Sequence, residues 1–153
     1  MLRTRLSDAL KTAMKAKDAP RVSTLRLILA ALKDRDIAAR TETDRTGVGE
    51  EEILLLLQSM VKQRRESITL YQQGGREDLA ARELAEIAVI EGFLPQQMSL
   101  DEVEAAVRSA IAEVKAGGIK DMGRVIAVLK SRHAGEMDVA QAAALVKKHL
   151  SPG

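Results

Sequence analysis

From Leu2 to Leu150 the apolar residues of this chain recur every three or four positions, and nowhere do they alternate at the two-residue spacing of a half-buried strand. That period puts them on one face of successive α-helices and leaves no segment for a sheet. Leu2, Leu6, Ala9, Leu10, Ala13 and Met14 form a first stripe. Asp18 suits the N-cap of a second helix, with Pro20 in its first turn, where the missing N–H costs little. Val22, Leu25, Ile28, Leu29 and Leu32 supply that helix's inner face. Residues 39 to 49 (ARTETDRTGVG) are polar and lose the period, hence an exposed loop.

Glu50, Glu51 and Glu52 open a third helix, where carboxylates complement the positive end of the helix dipole. Residues 53 to 57 are apolar on every side, so this helix must touch more than one neighbour. It runs through Met60, Val61, Ile68 and Tyr71 to Gly74-Gly75, which accept the left-handed conformation of a helix stop. A fourth helix carries Leu79, Leu84, Ile87 and Ile90 and ends near Gly92. Phe93-Leu94-Pro95 then makes a joint, because the residue before a proline is pushed out of helical geometry. Beyond it, Ser99 and Glu102 match a capping box, followed by Val103, Ala106, Val107, Ala110, Ile111 and Val114, with Gly117-Gly118 as the stop. Met122, Val125, Ile126 and Leu129 form a sixth stripe closed by Gly135. Asp138 and Gln141 resemble a second capping box before Val139, Ala142, Val146 and Leu150. The expected fold is all-α: an N-terminal bundle of about four helices over residues 1–94 and a small three-helix domain over residues 95–153.

Composition bounds the class. A chain of 153 residues without cysteine has no disulfide scaffold and no thiolate metal site, which fits a reducing cytoplasm. No stretch approaches the ~18 apolar residues of a membrane span, and the charged N-terminus lacks the apolar core of a secretory signal. The expectation is a cytoplasmic chain with no membrane partner. Charge is nearly balanced overall but unevenly spread. Residues 1–40 carry ten Lys/Arg against four Asp/Glu, residues 41–94 six against eleven, and residues 119–153 six against three. Basic ends around an acidic middle favour a polyanion locally, although the same charges also serve to solvate amphipathic helices.

STLRLILAALKD (23–34), LQSMVKQRRESI (57–68), RELAEIAVIEGFLPQQMS (82–99) and DMGRVIAVLKSRHAGEMD (121–138) occur in that order. Together they resemble the YqeY family, small proteins related to the C-terminal tail of the kinase-like subunit of the glutamine-dependent aspartyl/glutamyl-tRNA amidotransferase. Phe93 stands where tyrosine is common before Leu-Pro, keeping the ring without the hydroxyl. The resemblance implies a helical bundle followed by a tail domain similar to a tRNA-binding module, which touches the outer corner of tRNA. In the amidotransferase the chemistry sits elsewhere, so the family's term, carbon–nitrogen ligase with glutamine as amido-N-donor, need not describe this chain acting alone.

The residues agree with a reading in which no catalytic residue, cofactor or metal is expected. Amidotransfer requires an activated nucleophile and an ATP site, and the chain has no cysteine and no GxxxxGK[ST] loop. His133 and His149 lack a paired ligand motif; the first reads as a buried or capping histidine and the second as solvated. With only Tyr71 and Phe93 as aromatics, stacking on single-stranded bases is a poor fit. Phosphate contact with a folded RNA such as tRNA remains. Lys120, Arg124 and Lys130 on the sixth helix are the first candidates, with Arg132, Lys147 and Lys148 beside them. A second basic cluster is Lys62, Arg64 and Arg65, although Arg64 falls near the apolar face and could pair with a carboxylate of another helix. Gly123, inside a helix at a cost of about 1 kcal/mol relative to alanine, calls for close approach by another helix or by an RNA backbone. Two other classes stay open: a carbon–nitrogen ligase component active only with partner subunits of the tRNA-amidation machinery, and a protein–protein adaptor.

Overall fold

The computed structural model describes residues 1–151 and contains seven α-helices and no strand among them. These are α1 (Leu2–Lys15), α2 (Ala19–Ala38), α3 (Glu50–Gln73), α4 (Glu77–Glu91), α5 (Leu100–Val114), α6 (Met122–Arg132) and α7 (Val139–Leu150), with a 3-10 turn, Ile119–Asp121, before α6. The chain is all-α, as its periodicity requires. It divides into two compact units, Met1–Leu94 and Pro95–Gly153.

In the N-terminal unit α1, α2 and the first half of α3 share one core. Leu6, Leu25, Ile28 and Leu57 are fully enclosed there, and Ile90 and Phe93 close it from the end of α4. The second half of α3 packs along α4 around Ile68, Ala80 and Ile87. This division explains why residues 53 to 57 are apolar on all sides. Two residues of the expected stripes face solvent instead: Met14 and Leu84 are each 50% exposed. Leu84 falls at the edge of the α4 face centred on Ile87 and Ile90, and Met14 lies in the last turn of α1, where no helix covers it.

Polar contacts set the ends of these helices. Asp18 accepts from the Arg21 N–H at 3.3 Å and so caps α2 as expected. Met1 offers α1 no side-chain cap; Glu50 supplies one from the start of α3, its Oε1 accepting the Leu2 N–H at 2.6 Å. That bond, more than any other contact, holds the Glu50 carboxyl below its ordinary pKa. The 39–49 loop is anchored by Arg3, which donates to both carboxylate oxygens of Asp36 at 2.7 and 2.5 Å and to the Val48 carbonyl at 2.8 Å. Gly47 passes this clamp with φ +89°, and a Cβ there would lie 2.5 Å from Asp36 Oδ1, so glycine is required. At the end of α3 only the second glycine of the pair, Gly75, is left-handed (φ +72°).

The C-terminal unit packs α5, α6 and α7 around Val103, Val107, Val125, Leu129, Ala142 and Val146. The expected capping box is complete: Glu102 N–H donates to Ser99 Oγ at 3.2 Å and Ser99 N–H to Glu102 Oε1 at 3.0 Å. Two other signals resolve differently. The left-handed stop of α5 is Lys115 (φ 54°), two residues before the glycines. Asp138 caps α7 through one bond from the Ala140 N–H at 2.9 Å rather than through a box with Gln141. Gln97 and Met98 are tied into this unit, Gln97 Nε2 donating to the Gly135 carbonyl at 2.7 Å and the Met98 N–H to the Glu136 carbonyl at 2.8 Å. Phe93 and Leu94 belong to the N-terminal core, so the joint narrows to the Leu94–Pro95 bond.

Candidate functional site

The basic residues singled out by the sequence divide into those with internal partners and those without. Lys120 is exposed, in the 3-10 turn ahead of α6 rather than on the helix itself. Lys130 is exposed in the last turn of α6. Neither forms a salt bridge or hydrogen bond among the described residues. Between them, Gly123 and Ala127 are exposed on the side of α6 that faces away from Val125 and Leu129. A Cβ on Gly123 would meet nothing within 4 Å, so no helix of the described chain makes that glycine necessary. The outer face of α6 is therefore shallow in the middle, with one exposed lysine in the turn before the helix and another in its last turn.

Arg124 borders the same face but has structural work. Its Nη2 donates to the Val114 carbonyl at 3.0 Å, satisfying an end of α5, and its Nη1 reaches Asp121 Oδ1 at 3.4 Å. Asp121 also accepts the Gly117 N–H at 2.8 Å, the bond chiefly responsible for depressing its pKa. Arg124, one of the first candidates for RNA contact, thus ties the α5–α6 connection together. Arg132 is paired with Glu113 of α5. Lys147 and Lys148 are exposed in the last turn of α7, where cations complement the negative helix end.

The second basic cluster is split: Arg64 is drawn inward, whereas Lys62 and Arg65 stay exposed. The Arg64 side chain is only 14% exposed and lies between α3 and α4, its Nε donating to Glu86 at 2.9 Å with Glu83 at 3.9 Å, and its Nη1 to the Met60 carbonyl at 3.1 Å. Arg65 reaches Glu91 at 3.5 Å. Lys62 alone of the three remains exposed without a partner among the described residues. Arg64's position beside the Leu57/Val61/Ile68 face anticipates its ion pair.

The histidines are held by carboxylates. His133 sits at the C-cap of α6 with Nδ1 3.0 Å from Glu136, matching the capping alternative. His149 is not simply solvated: its Nε2 lies 3.2 Å from Glu104 of α5, and its side chain is 25% exposed. No group of three His, Asp or Glu side chains close enough to hold a metal ion occurs among the described residues. Among the described residues no helix is long and apolar enough to cross a membrane.

Comparison with known proteins adds the family. The chain is similar to proteins named "Altered inheritance of mitochondria protein 41, mitochondrial" from several fungi. With that of Pyrenophora tritici-repentis it shares 28% identity over 133 residues, 84% of this chain and 71% of the relative. With that of Lachancea thermotolerans it shares 34% over 114 residues, 72% of this chain and 58% of the relative. With that of Vanderwaltozyma polyspora it shares 30% over 112 residues, again 72% and 58%. The chain thus spans less than two thirds of the length of the two yeast relatives. The name gives those proteins a mitochondrial setting, where the sequence of this one led to an expectation of cytoplasm. The family model described as Yqey-like protein matches residues 3–150, across both helical units, and the chain belongs to the YqeY family.

Proposed function

We propose that this chain is a non-catalytic RNA-binding accessory module that holds a folded RNA, tRNA above all, by its phosphate backbone. The observation that carries the reading is the strip opened by Gly123 and Ala127 on the outer side of α6, with exposed Lys120 in the turn before it and exposed Lys130 in its last turn, neither in a salt bridge or hydrogen bond among the described residues. An unpaired lysine still holds solution counterions, and phosphate contact gains free energy by releasing them; a guanidinium already paired to a carboxylate gains far less. Lys147 and Lys148 add positive charge to the same unit. The resemblance to the amidotransferase tail points in the same direction, with translation in the cytoplasm as the setting and a protein of the tRNA-amidation machinery as a candidate partner. Arg64 leaves the interface because it is held between α3 and α4 by Glu86, while Arg65 and Arg132 stay at the surface in exposed ion pairs that a phosphate would have to displace.

The test is tRNA binding by the full chain and by Lys120→Glu with Lys130→Glu. Phosphate contacts position without reading sequence, so affinity should fall by a similar factor for every tRNA tried, while helicity and melting temperature stay put. Unchanged affinity in the folded double variant removes α6 from the interface.

A further inference from the structure

The turn between α1 and α2 leaves an apolar groove on the N-terminal unit that RNA binding through α6 does not use. Met14 and Leu27 are 50% and 47% exposed, and with Ala19 and Val22 they line a groove of about 640 Å3. Lys17 and Arg26 stand at its rim, Ser23 adds a hydroxyl, and the lining contains no carboxylate. Neither cation has a salt bridge among the described residues. Asp18, the nearest acidic residue in sequence, is occupied as the cap of α2 and lines the adjoining cleft with Arg82, on the other side of Ser23. Lys17 is held at the rim in the left-handed region, φ 56°, at a cost of about 1–2 kcal/mol that glycine would avoid.

We propose that this groove is a docking site for an acidic amphipathic helix of a partner protein. Apolar side chains of that helix at i, i+3 or i+4, and i+7 seat between Met14, Val22 and Leu27, and its flanking carboxylates meet Lys17 and Arg26. Charge selects this occupant: two unmatched cations over an aliphatic floor, within a 40-residue segment that carries ten Lys/Arg against four Asp/Glu. An RNA backbone would desolvate that floor without return, and the floor holds no aromatic ring for a base to stack on. A bilayer contact favours interfacial aromatics, and both aromatics of the chain lie outside this lining. The flexible Met14 thioether suits a floor that must fit a partner's side chains. The proposal stands apart from RNA binding, since it uses a different unit and different residues.

The experiment is a selection of a random 16-residue peptide library on the immobilised full chain, with the Leu27→Asp variant as counter-target. The enriched peptides are then titrated into isotope-labelled protein. Expected are acidic sequences with apolar residues at helical spacing, amide shifts concentrated at Met14, Lys17, Val22 and Leu27, and at least tenfold weaker binding to Leu27→Asp and to Arg26→Glu. Both variants alter exposed positions, and circular dichroism confirms that they fold. The proposal is overturned by the absence of a consensus, by a basic or non-helical consensus, or by shifts elsewhere. It is equally overturned if vesicles with anionic lipid bind the wild type but not Leu27→Asp while peptides fail, which would make the groove a membrane contact.

Discussion

Replacing Arg64 by alanine separates a structural arginine from an RNA contact. The guanidinium makes a charge-assisted bond to Glu86 at 2.9 Å and a second to the Met60 carbonyl at 3.1 Å. Such bonds contribute about 1.5–3 and about 1 kcal/mol respectively. Truncation also leaves Glu83 and Glu86 without their common counter-charge on adjacent positions of the α4 face. Opposing this, all three side chains retain 14–22% exposure, so water relieves part of the cost of about 3–5 kcal/mol seen when a fully buried pair is broken. The balance is a loss of about 2–3 kcal/mol. In a unit of this size that lowers the melting temperature by roughly 10–20 °C. Urea unfolding followed by circular dichroism should show a lower midpoint with an unchanged slope, and Glu86→Ala in the Arg64→Ala background should cost little more. A loss under about 0.5 kcal/mol, accompanied by weaker tRNA binding of the folded variant, would refute the structural assignment.

Acid should release the clamp on the 39–49 loop. Hydrogen bonds from Arg3 hold the Asp36 carboxyl down to about 2, so its contribution is complete above pH ~4 and disappears as pH falls through about 2. Discounted for the 39% exposure of the Arg3 side chain, this is about 1 kcal/mol between pH 4.5 and 2.5, and Asp36→Asn should flatten that part of the stability profile. Gly123→Ala should raise stability by up to about 1 kcal/mol in thermal unfolding, because the new Cβ meets nothing, and at the same time weaken tRNA binding by crowding the α6 face. Cleavage at the Leu94–Pro95 bond should release two fragments, 1–94 and 95–153, each helical by circular dichroism; an unfolded fragment would mean that the halves need one another.

Helical periodicity carried most of the architecture, because each unit buries apolar stripes and little else. Asp18, the Ser99/Glu102 box and the 39–49 loop were readable for the same local reason: caps and breakers act within three or four residues. Contacts between distant positions were not. Glu50 capping α1, Arg3 bridging Asp36 and Val48, and His149 meeting Glu104 depend on which helices become neighbours, and no spacing encodes that. For the candidate interface the sequence located exposed cations on and just before α6 but could not separate Lys120 and Lys130 from Arg124, whose bond to the Val114 carbonyl follows from the folding of α6 back against α5. Met14 and Leu84 were misplaced because a helical wheel shows a face and not what covers it.

The most direct test of the account is the salt dependence of tRNA binding by the full chain, compared with Lys120→Glu and Lys130→Glu combined. If α6 holds the RNA backbone, log K should fall linearly with log salt concentration, and the slope should shrink by about one unit for each lysine replaced. Binding that is absent even at low salt, or a slope unchanged in the folded double variant, would contradict it.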